Sequence, residues 1–595
     1  MYIKIIKKNA IDSKRFPQYD QIIGNAPKKR KGNPMYTKLL QAIYRDSDLA
    51  EKTASMIEQK VSDYQQKKGQ AGKLHWDEED IFLITYGDQF FEEQQPTLRT
   101  FKKFYQKYLA DTFRVVHFLP FFPYTSDDGF SVVNYQAIND RLGTWEDIEE
   151  MRSETRLMFD FVCNHMSAES TWFQEYLNLN DTYKDFFIDL PLDTDTSSVT
   201  RPRTSPLLTT FIDKNGKEKH VWTTFSEDQV DLNFKNPEVL LKMIDILLFY
   251  LEKGASFIRL DAVGFLWKEL GTSCIHLPET HKIIQLFRAI VDEAAPGTVL
   301  ITETNVPHKD NISYFGNGEN EAQMVYQFSL PPLTLQAIRS GNTSKLKEWL
   351  KTIDFASKKT TFFNFLASHD GIGLNPVRGI LPEKTILELV EQLKKEGTRV
   401  NYKKNPDGTT SPYEINATYL DALSSPTDTT EWRSKRFLAA HSFLVTLPGV
   451  PAIYIQSVLG SRNDYKGVEK TGENRKINRQ KFLLADIEKE LQTDPLRTAV
   501  YGELTQMLSI RKKEKAFHPN SLIYLLDSAD SFISFIREAK EEKVLVIHNF
   551  SNQSAGYLLP KGDYLDLFSG QIIHCSQERK LIFQPYEYMW LKIIK

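Results

Sequence analysis

Eight short apolar runs, rich in Val, Ile and Phe and separated by amphipathic stretches, constrain this 595-residue chain more than any other feature. They lie at residues 81–86, 115–120, 157–163, 257–261, 299–303, 324–330, 362–368 and 450–456. Runs this short and this continuously apolar fit strands buried on both faces. Segments of helical periodicity fall between them at 239–252, 281–294 and 344–352. The alternation predicts an α/β fold built on a closed parallel (β/α)8 TIM barrel.

The barrel is expected to occupy residues 76–515, with two intervals too long for plain loops. One is a polar, Pro- and Thr-rich stretch at about 168–236, after strand 3, and the other lies at about 371–436, after strand 7. Both follow the carboxyl ends of strands, so inserted subdomains there would overhang the barrel mouth. Residues 1–75 are patchily periodic (Leu39, Leu40, Ile43, Leu49, Ile57 and Val61) and predict an N-terminal helical extension. From Ser521 to the end, short alternating runs with turn signals such as Lys561-Gly562 and Ser569-Gly570 predict a C-terminal antiparallel β domain at 521–595.

Seventy-five basic and 78 acidic residues leave a net charge of −3, so no global field favours nucleic acid or an anionic membrane. The basic run Lys28-Lys29-Arg30-Lys31 reads as a solvated loop. Cys163, Cys274 and Cys575 are too few and too scattered for a disulfide framework, and no Cys/His spacing matches a zinc site. Neither a signal peptide nor a membrane span is visible in the sequence. A cytoplasmic enzyme is the expectation.

Three of the runs end at or near an acid: Asp261 in F-I-R-L-D-A-V-G-F, Glu303 in V-L-I-T-E-T-N and Asp370 in F-N-F-L-A-S-H-D-G-I-G. One such acid is usually a helix cap. Arg259 and Asp261 alone would be a barrel-interior ion pair, and His165 and His369 alone would be core histidines. Their co-location at successive strand ends is what those bland readings do not predict. Cleaving an acetal with retention takes one carboxylate as nucleophile and a second carboxyl group as acid and then base. Arg259, two residues before Asp261, shares its strand face and would keep that carboxyl ionised. Glu303, buried near other acids, fits the acid/base. Asp370 would stabilise positive charge at the anomeric carbon beside His369, with His165 donating to a sugar oxygen.

The segments D-F-V-C-N-H, F-I-R-L-D-A-V-G-F, L-I-T-E-T-N and F-L-A-S-H-D resemble the four signature regions of the α-amylase superfamily, glycoside hydrolase family 13. The finer pattern is similar to the sucrose-phosphorylase subgroup: Asp261–Gly264 followed by Gly271–Cys274, then H-D-G-I-G, Leu330–Leu333, Arg201–Arg203 and Ile477–Arg479. Within it, E-T-N-V-P-H-K-D-N-I-S-Y-F-G and N-P-D-G-T-T-S-P-Y-E-I-N most resemble the branch acting on glucosylglycerate. The resemblance runs from about Trp76 onward. It implies Asp261 as nucleophile, Glu303 as acid/base and Asp370 as transition-state stabiliser. Asp127 and Arg479 would grip the far glucosyl hydroxyls, with His165, Arg259 and His369 completing that subsite. Taken alone, Asp127 reads as a turn residue before Gly129, and Phe130 fits an apolar wall as well as core packing.

A phosphorylase hands its glucosyl unit to inorganic phosphate inside a site lined with acids, which requires cations beside the acceptor. Arg201 and Arg203 are the candidates, Arg203 foremost, while His308, Lys309, Arg378, Lys403 and Lys404 lie on loops that could reach the mouth. Taken singly, each of these cations reads as a solvated loop charge. The resemblance puts Tyr413 and Glu414 on the loop lining the acceptor site. It implies a small α-glucoside and phosphate as partners, and no cofactor or metal, although some relatives use the residue matching Asn164 for calcium. The alternatives are phosphorolysis of sucrose or another small α-glucoside, hydrolysis, or sugar binding without catalysis. Oligomeric state is left open.

Overall fold

The computed structural model describes residues 3–4, 33–68, 76–405, 407–540 and 542–594. The basic run at 28–31 lies outside the described residues. All eight apolar runs become barrel strands: β1 (Phe82–Thr85), β2 (Val115–Phe118), β3 (Arg156–Val162), β4 (Ala255–Asp261), β5 (Val299–Thr302), β6 (Met324–Tyr326), β7 (Thr361–Phe365) and β8 (Val450–Tyr454). Neighbours pair in parallel and the sheet closes on itself. Both faces are covered, which is why the strands read as unbroken apolar runs rather than alternating ones. The barrel interior is filled by rings: Phe82 meets Phe257 edge-on at 4.7 Å between centroids and Phe363 at 5.1 Å.

Helices α1 (Pro34–Tyr44) and α2 (Ser47–Lys68) pack on the outside of the barrel helices α3 (Pro237–Glu252) and α4 (Pro278–Ala294). Tyr36 Oη donates to Glu293 at 2.7 Å and Lys60 pairs with Asp245 at 2.7 Å. The start of α3 is locally encoded: Asn236 accepts from the Glu238 amide, and Pro237 occupies the first turn, where no amide partner is needed. The N-terminal segment is not helical throughout, as its periodicity suggested. Ile3–Lys4 is a strand, Ile3 opposite Leu525 and Lys4 opposite Tyr524. A sheet edge offers unpaired backbone groups, and two residues are too few for periodicity to register.

The first insertion contains a helix (Thr171–Leu177), a hairpin (Leu208–Ile212 with Glu218–Trp222), and a strand (Gln229–Asp231) antiparallel to His165–Ser167. In the second, Ile372–Gly373, Arg399–Lys404 and Thr410–Asn416 form a three-stranded sheet. The helix leading into β8, α5 (Thr430–Thr446), begins inside the interval read as insertion, its start fixed by Thr429 accepting from the Trp432 amide.

The C-terminal strands form a seven-stranded antiparallel sheet that includes Ile3–Lys4, and a two-stranded ribbon lies beside it. Two fully buried arginines join this sheet to the barrel. Arg537, on strand Phe532–Ala539, donates to the Thr446 carbonyl, to His518 O at 2.8 Å and to Ser521 Oγ at 2.6 Å. Arg511 donates to Val445 O at 2.7 Å, to Phe517 O at 3.1 Å and to the Glu78 carbonyl. Val445 and Thr446 end α5, where helix carbonyls have no partner of their own.

Candidate active site

At the carboxyl ends of the strands lies a cavity of about 530 Å³, lined by Asp261, Glu303 and Asp370 together with Asp127, Phe130, His165, His369, Arg203 and Tyr413. Asp261 is the last residue of β4, and Glu303 follows β5 directly. The turn after Asp261 places Ala262 at φ 51°, a left-handed conformation costly for a residue with a Cβ.

Arg259 lies behind the cavity wall and ties the acids together. Its Nη1 is 2.7 Å from Asp261 Oδ1 and also contacts Asp160, while Nη2 is 3.8 Å from Glu303 Oε2. Strand register explains this: Arg259 lies opposite Asp160 on β3 and Ile301 on β5, one layer below the strand ends. His117 on β2 reaches Asp160 at 2.7 Å.

Burial raises Asp261 above the ordinary carboxylate range and the charge of Glu303 adds to it, with Arg259 opposing. Glu303 is raised by burial and by Asp370, again against Arg259. Such a pair titrates as a unit, so near neutrality it keeps a proton that two isolated carboxyls would lose. The guanidinium is closer to Asp261, which puts the charge there and the proton on Glu303. Asp370 differs: burial pushes it up, but Arg475, Arg479, Arg259 and Arg203 outweigh burial and its pKa is lowered. Burial, Arg479 and Arg259 drive His369 far below its usual value, so it is neutral. Its ring stacks on Phe130 at 4.6 Å, giving that phenyl a wall position in the cavity.

The Asp127 turn is real and also carries charge into the site. Asp127, Asp128 and Gly129 all have positive φ. A Cβ on Gly129 would sit 2.6 Å from the Pro120 carbonyl, so the turn can close only on glycine. Arg479 lies behind it, Nη1 3.2 Å from Asp127 Oδ1 and 2.8 Å from Asp128 Oδ2, with Nε donating to His369 O at 2.8 Å.

Arg475 was not singled out in the sequence. It lies four residues before Arg479, on the short 3-10 segment Asn474–Asn478, and both guanidiniums reach Asp127 and Asp370. Its Nη1 is 2.7 Å from Asp370 Oδ1, and its other nitrogens take both Glu414 oxygens, at 3.0 and 2.8 Å. That corrects the expectation for Glu414. It is buried, does not line the cavity, and also accepts from the Gly371 amide at 3.0 Å. Its carboxylate holds Arg475 rather than facing an acceptor. Gly371 permits this approach, since a Cβ there would sit 2.5 Å from the Ile415 carbonyl.

His165 is fixed by Phe130 O at 3.0 Å from Nε2 and by Asn164 Nδ2 at 3.2 Å from Nδ1. Beneath it is a second unanticipated group. Buried Lys268 places Nζ 2.7 Å from Asn164 Oδ1 and 2.8 Å from Asp231 Oδ2. The oxygen of Asn164 that a calcium-binding relative would use is thus engaged by an ammonium of the chain itself. Lys268→Ala leaves a buried Asp231 charge uncompensated and is expected to lower stability by about 3–5 kcal/mol. Thermal or urea denaturation checks it, and parent-like unfolding would contradict that role for Lys268.

Arg201 and Arg203 sit on a loop of the first insertion. Thr200 N donates to Ser273 O at 2.9 Å, and Cys274 packs with Val199, Leu207 and Trp222, so the G-T-S-C segment anchors this loop. Arg203 crosses the mouth to the second insertion, its guanidinium 5.4 Å from the Tyr413 ring centre and 5.8 Å from that of Phe225. Arg201 donates to the Ser205 carbonyl and braces the loop. Lys403 and Lys404 line the cavity, whereas His308, Lys309 and Arg378 do not. Arg378 is held by Glu383 at 2.5 Å and by Pro412 O at 3.2 Å.

The chain is similar to known proteins over most of its length. The profile of the α-amylase catalytic domain matches residues 102–375, and that of the α-amylase SusG C-terminal domain matches residues 533–587. A glucosylglycerate phosphorylase of Escherichia coli is 52% identical over 526 residues, 88% of this chain and 93% of that protein. A glucosylglycerate phosphorylase of Spirochaeta thermophila is 46% identical, covering 88% of this chain and 91% of the relative. The crystal structure of a sucrose 6F-phosphate phosphorylase from Thermoanaerobacter thermosaccharolyticum superposes with a TM-score of 0.72 at 26% identity, covering 85% of this chain and 98% of that one.

Proposed function

We propose a mechanism from one premise: the chain belongs to the α-amylase family, glycoside hydrolase family 13, and to its phosphorylase branch. It is a retaining glycoside phosphorylase that converts 2-O-α-D-glucosylglycerate and phosphate reversibly to α-D-glucose 1-phosphate and D-glycerate. In the assigned roles, Asp261 attacks the anomeric carbon while Glu303 protonates the departing glycerate oxygen, leaving a glucosyl ester on Asp261. Hydrogen phosphate then attacks the same carbon, its proton returns to Glu303, and the ester bond breaks. Asp370, held ionised by Arg475 and Arg479, faces the positive charge that develops in both steps. Asp127, His165 and His369 provide the polar wall for the glucosyl hydroxyls, with Arg479 positioned by its two aspartates.

The observation that supports phosphate over water is a charge asymmetry. Around the cavity floor, Arg259, Arg475 and Arg479 are each neutralised by carboxylates. Among the described residues, Arg201 and Arg203 of the first insertion line the mouth and have no carboxylate within ion-pair distance. Arg203 also helps hold Asp370 ionised, so its charge is felt at the catalytic acids. The three cysteines are buried and unpaired, which fits a cytoplasmic enzyme, and no described helix is long and apolar enough to cross a membrane.

Two measurements test this. Glucose 1-phosphate formation from glucosylglycerate should require phosphate, and free glucose released at a phosphate-independent rate would mean a hydrolase. Arg203→Ala should raise the phosphate KM about 10- to 100-fold, the loss of one charge-assisted contact, and raise the glucoside KM less. An equal rise in both would reduce Arg203 to a structural residue.

A further inference from the structure

The second insertion brings to the mouth two further cations without a carboxylate partner among the described residues, Lys403 and Lys404, of which Lys403 is partly buried and Lys404 exposed. Lys403 lies on the hairpin Arg399–Lys404/Thr410–Asn416, directly opposite Ser411. Tyr413 is the extra residue of a bulge where the register shifts between Asn401 and Tyr402, and both Lys403 and Tyr413 line the cavity. Lys403 is partly buried, and neither a hydrogen bond nor an ion pair to a carboxylate holds it among the described residues. The nearby cation Arg378 is already paired with Glu383. Burial and Arg378 lower the pKa of Lys403, as expected for an ammonium whose partner arrives with a ligand. Arg203 reaches over Tyr413 from the opposite wall, so Arg203 and Lys403 flank the acceptor space from the two insertions.

The two products make different demands on that space. Phosphate carries its charge on oxygens attached to the same atom as the attacking oxygen. Glycerate attacks through its 2-hydroxyl and carries its charge on the neighbouring carbon, one bond farther out. Arg203, close enough to act on Asp370, suits the first, and Lys403, whose strongest charged neighbours are the loop residues Arg378 and Glu383, suits the second. We propose that Lys403 selects acceptors bearing a carboxylate beside the attacking hydroxyl, small 2-hydroxy acids, over neutral polyols of the same size. The assignment rests on the phosphorylase reading above and adds the residue that sets its acceptor class.

The test compares acid and alcohol acceptors with α-glucose 1-phosphate as donor, in the parent, Lys403→Gln and Lys403→Arg. The parent should prefer glycerate to glycerol in kcat/KM. Lys403→Gln should cut that preference about 10- to 100-fold, the value of one charged hydrogen bond, chiefly through the glycerate KM. Lys403→Arg should restore most of it. The phosphate KM, measured separately with α-glucosyl fluoride as donor, should move less than about threefold in Lys403→Gln, since that contact is not phosphate's. Equal increases for glycerate and phosphate, or an unchanged preference, overturn the proposal. A parent that transfers glucose to phosphate but ignores glycerate sinks the substrate reading instead. Glycolate against ethylene glycol then decides Lys403, and indifference between those two overturns it as well.

Discussion

Asp261→Ala is expected to cut phosphorolysis about 10,000-fold or more, the scale seen when a covalent nucleophile is removed, and to leave the protein folded. The carboxyl ends a strand at the cavity wall, and its loss leaves Arg259 still paired with Asp160 and near Glu303. Stability should therefore shift by no more than about 1–2 kcal/mol. Initial rates of glucose 1-phosphate release, set beside thermal unfolding, test both halves. Ordinary turnover in the variant would remove Asp261 from the reaction, whereas a large loss of stability would mean that the Arg259 pairing is structural first.

The second large effect is expected from Glu303→Gln, and its diagnostic is dependence on the leaving group. Glycerate departs as a poor leaving group that must be protonated, so the variant should lose about 100- to 10,000-fold with glucosylglycerate. Fluoride needs much less help, so formation of the glucosyl ester from α-glucosyl fluoride should be affected far less. The pH profile adds an independent reading. The active form of the Asp261–Glu303 pair carries one proton, and burial raises the pKa at which that proton is lost. In the parent, kcat/KM should fall as pH rises through that raised value, and the alkaline limb should vanish in Glu303→Gln, which has no proton to lose. An unchanged alkaline limb, or equal losses with both donors, would reject Glu303 as the acid.

How much of this was legible beforehand divides along sequence distance. The eight strands were readable because each is a local run covered on both faces, so its apolarity is continuous. The strand-end acids were readable for the same reason, each being the polar terminus of an apolar segment. Groups whose meaning depends on remote partners were not. Lys268 reads as an ordinary charge until the fold brings Asn164 and Asp231 to its ammonium. Asp160 reads as one polar break in β3 until Arg259 and His117 close on it. Glu414 was placed by its loop, and the loop was the right one. Which way the side chain turns was decided by Arg475, 61 residues farther along the chain, beyond α5 and β8. Arg475 itself left only a faint trace, a second arginine four residues before Arg479.

The buried arginines at the far end of the barrel bear on how the molecule comes apart. Arg537 belongs to the C-terminal sheet, yet its guanidinium donates to Thr446, next to the residue that Arg511 grips from the last barrel helix. Removing the sheet would therefore strip donors from the end of α5 and reopen a seam that no solvent now reaches. Barrel and sheet should melt in one cooperative transition. Grafting the catalytic region onto another scaffold without its tail should yield an insoluble product, however faithfully the mouth is copied.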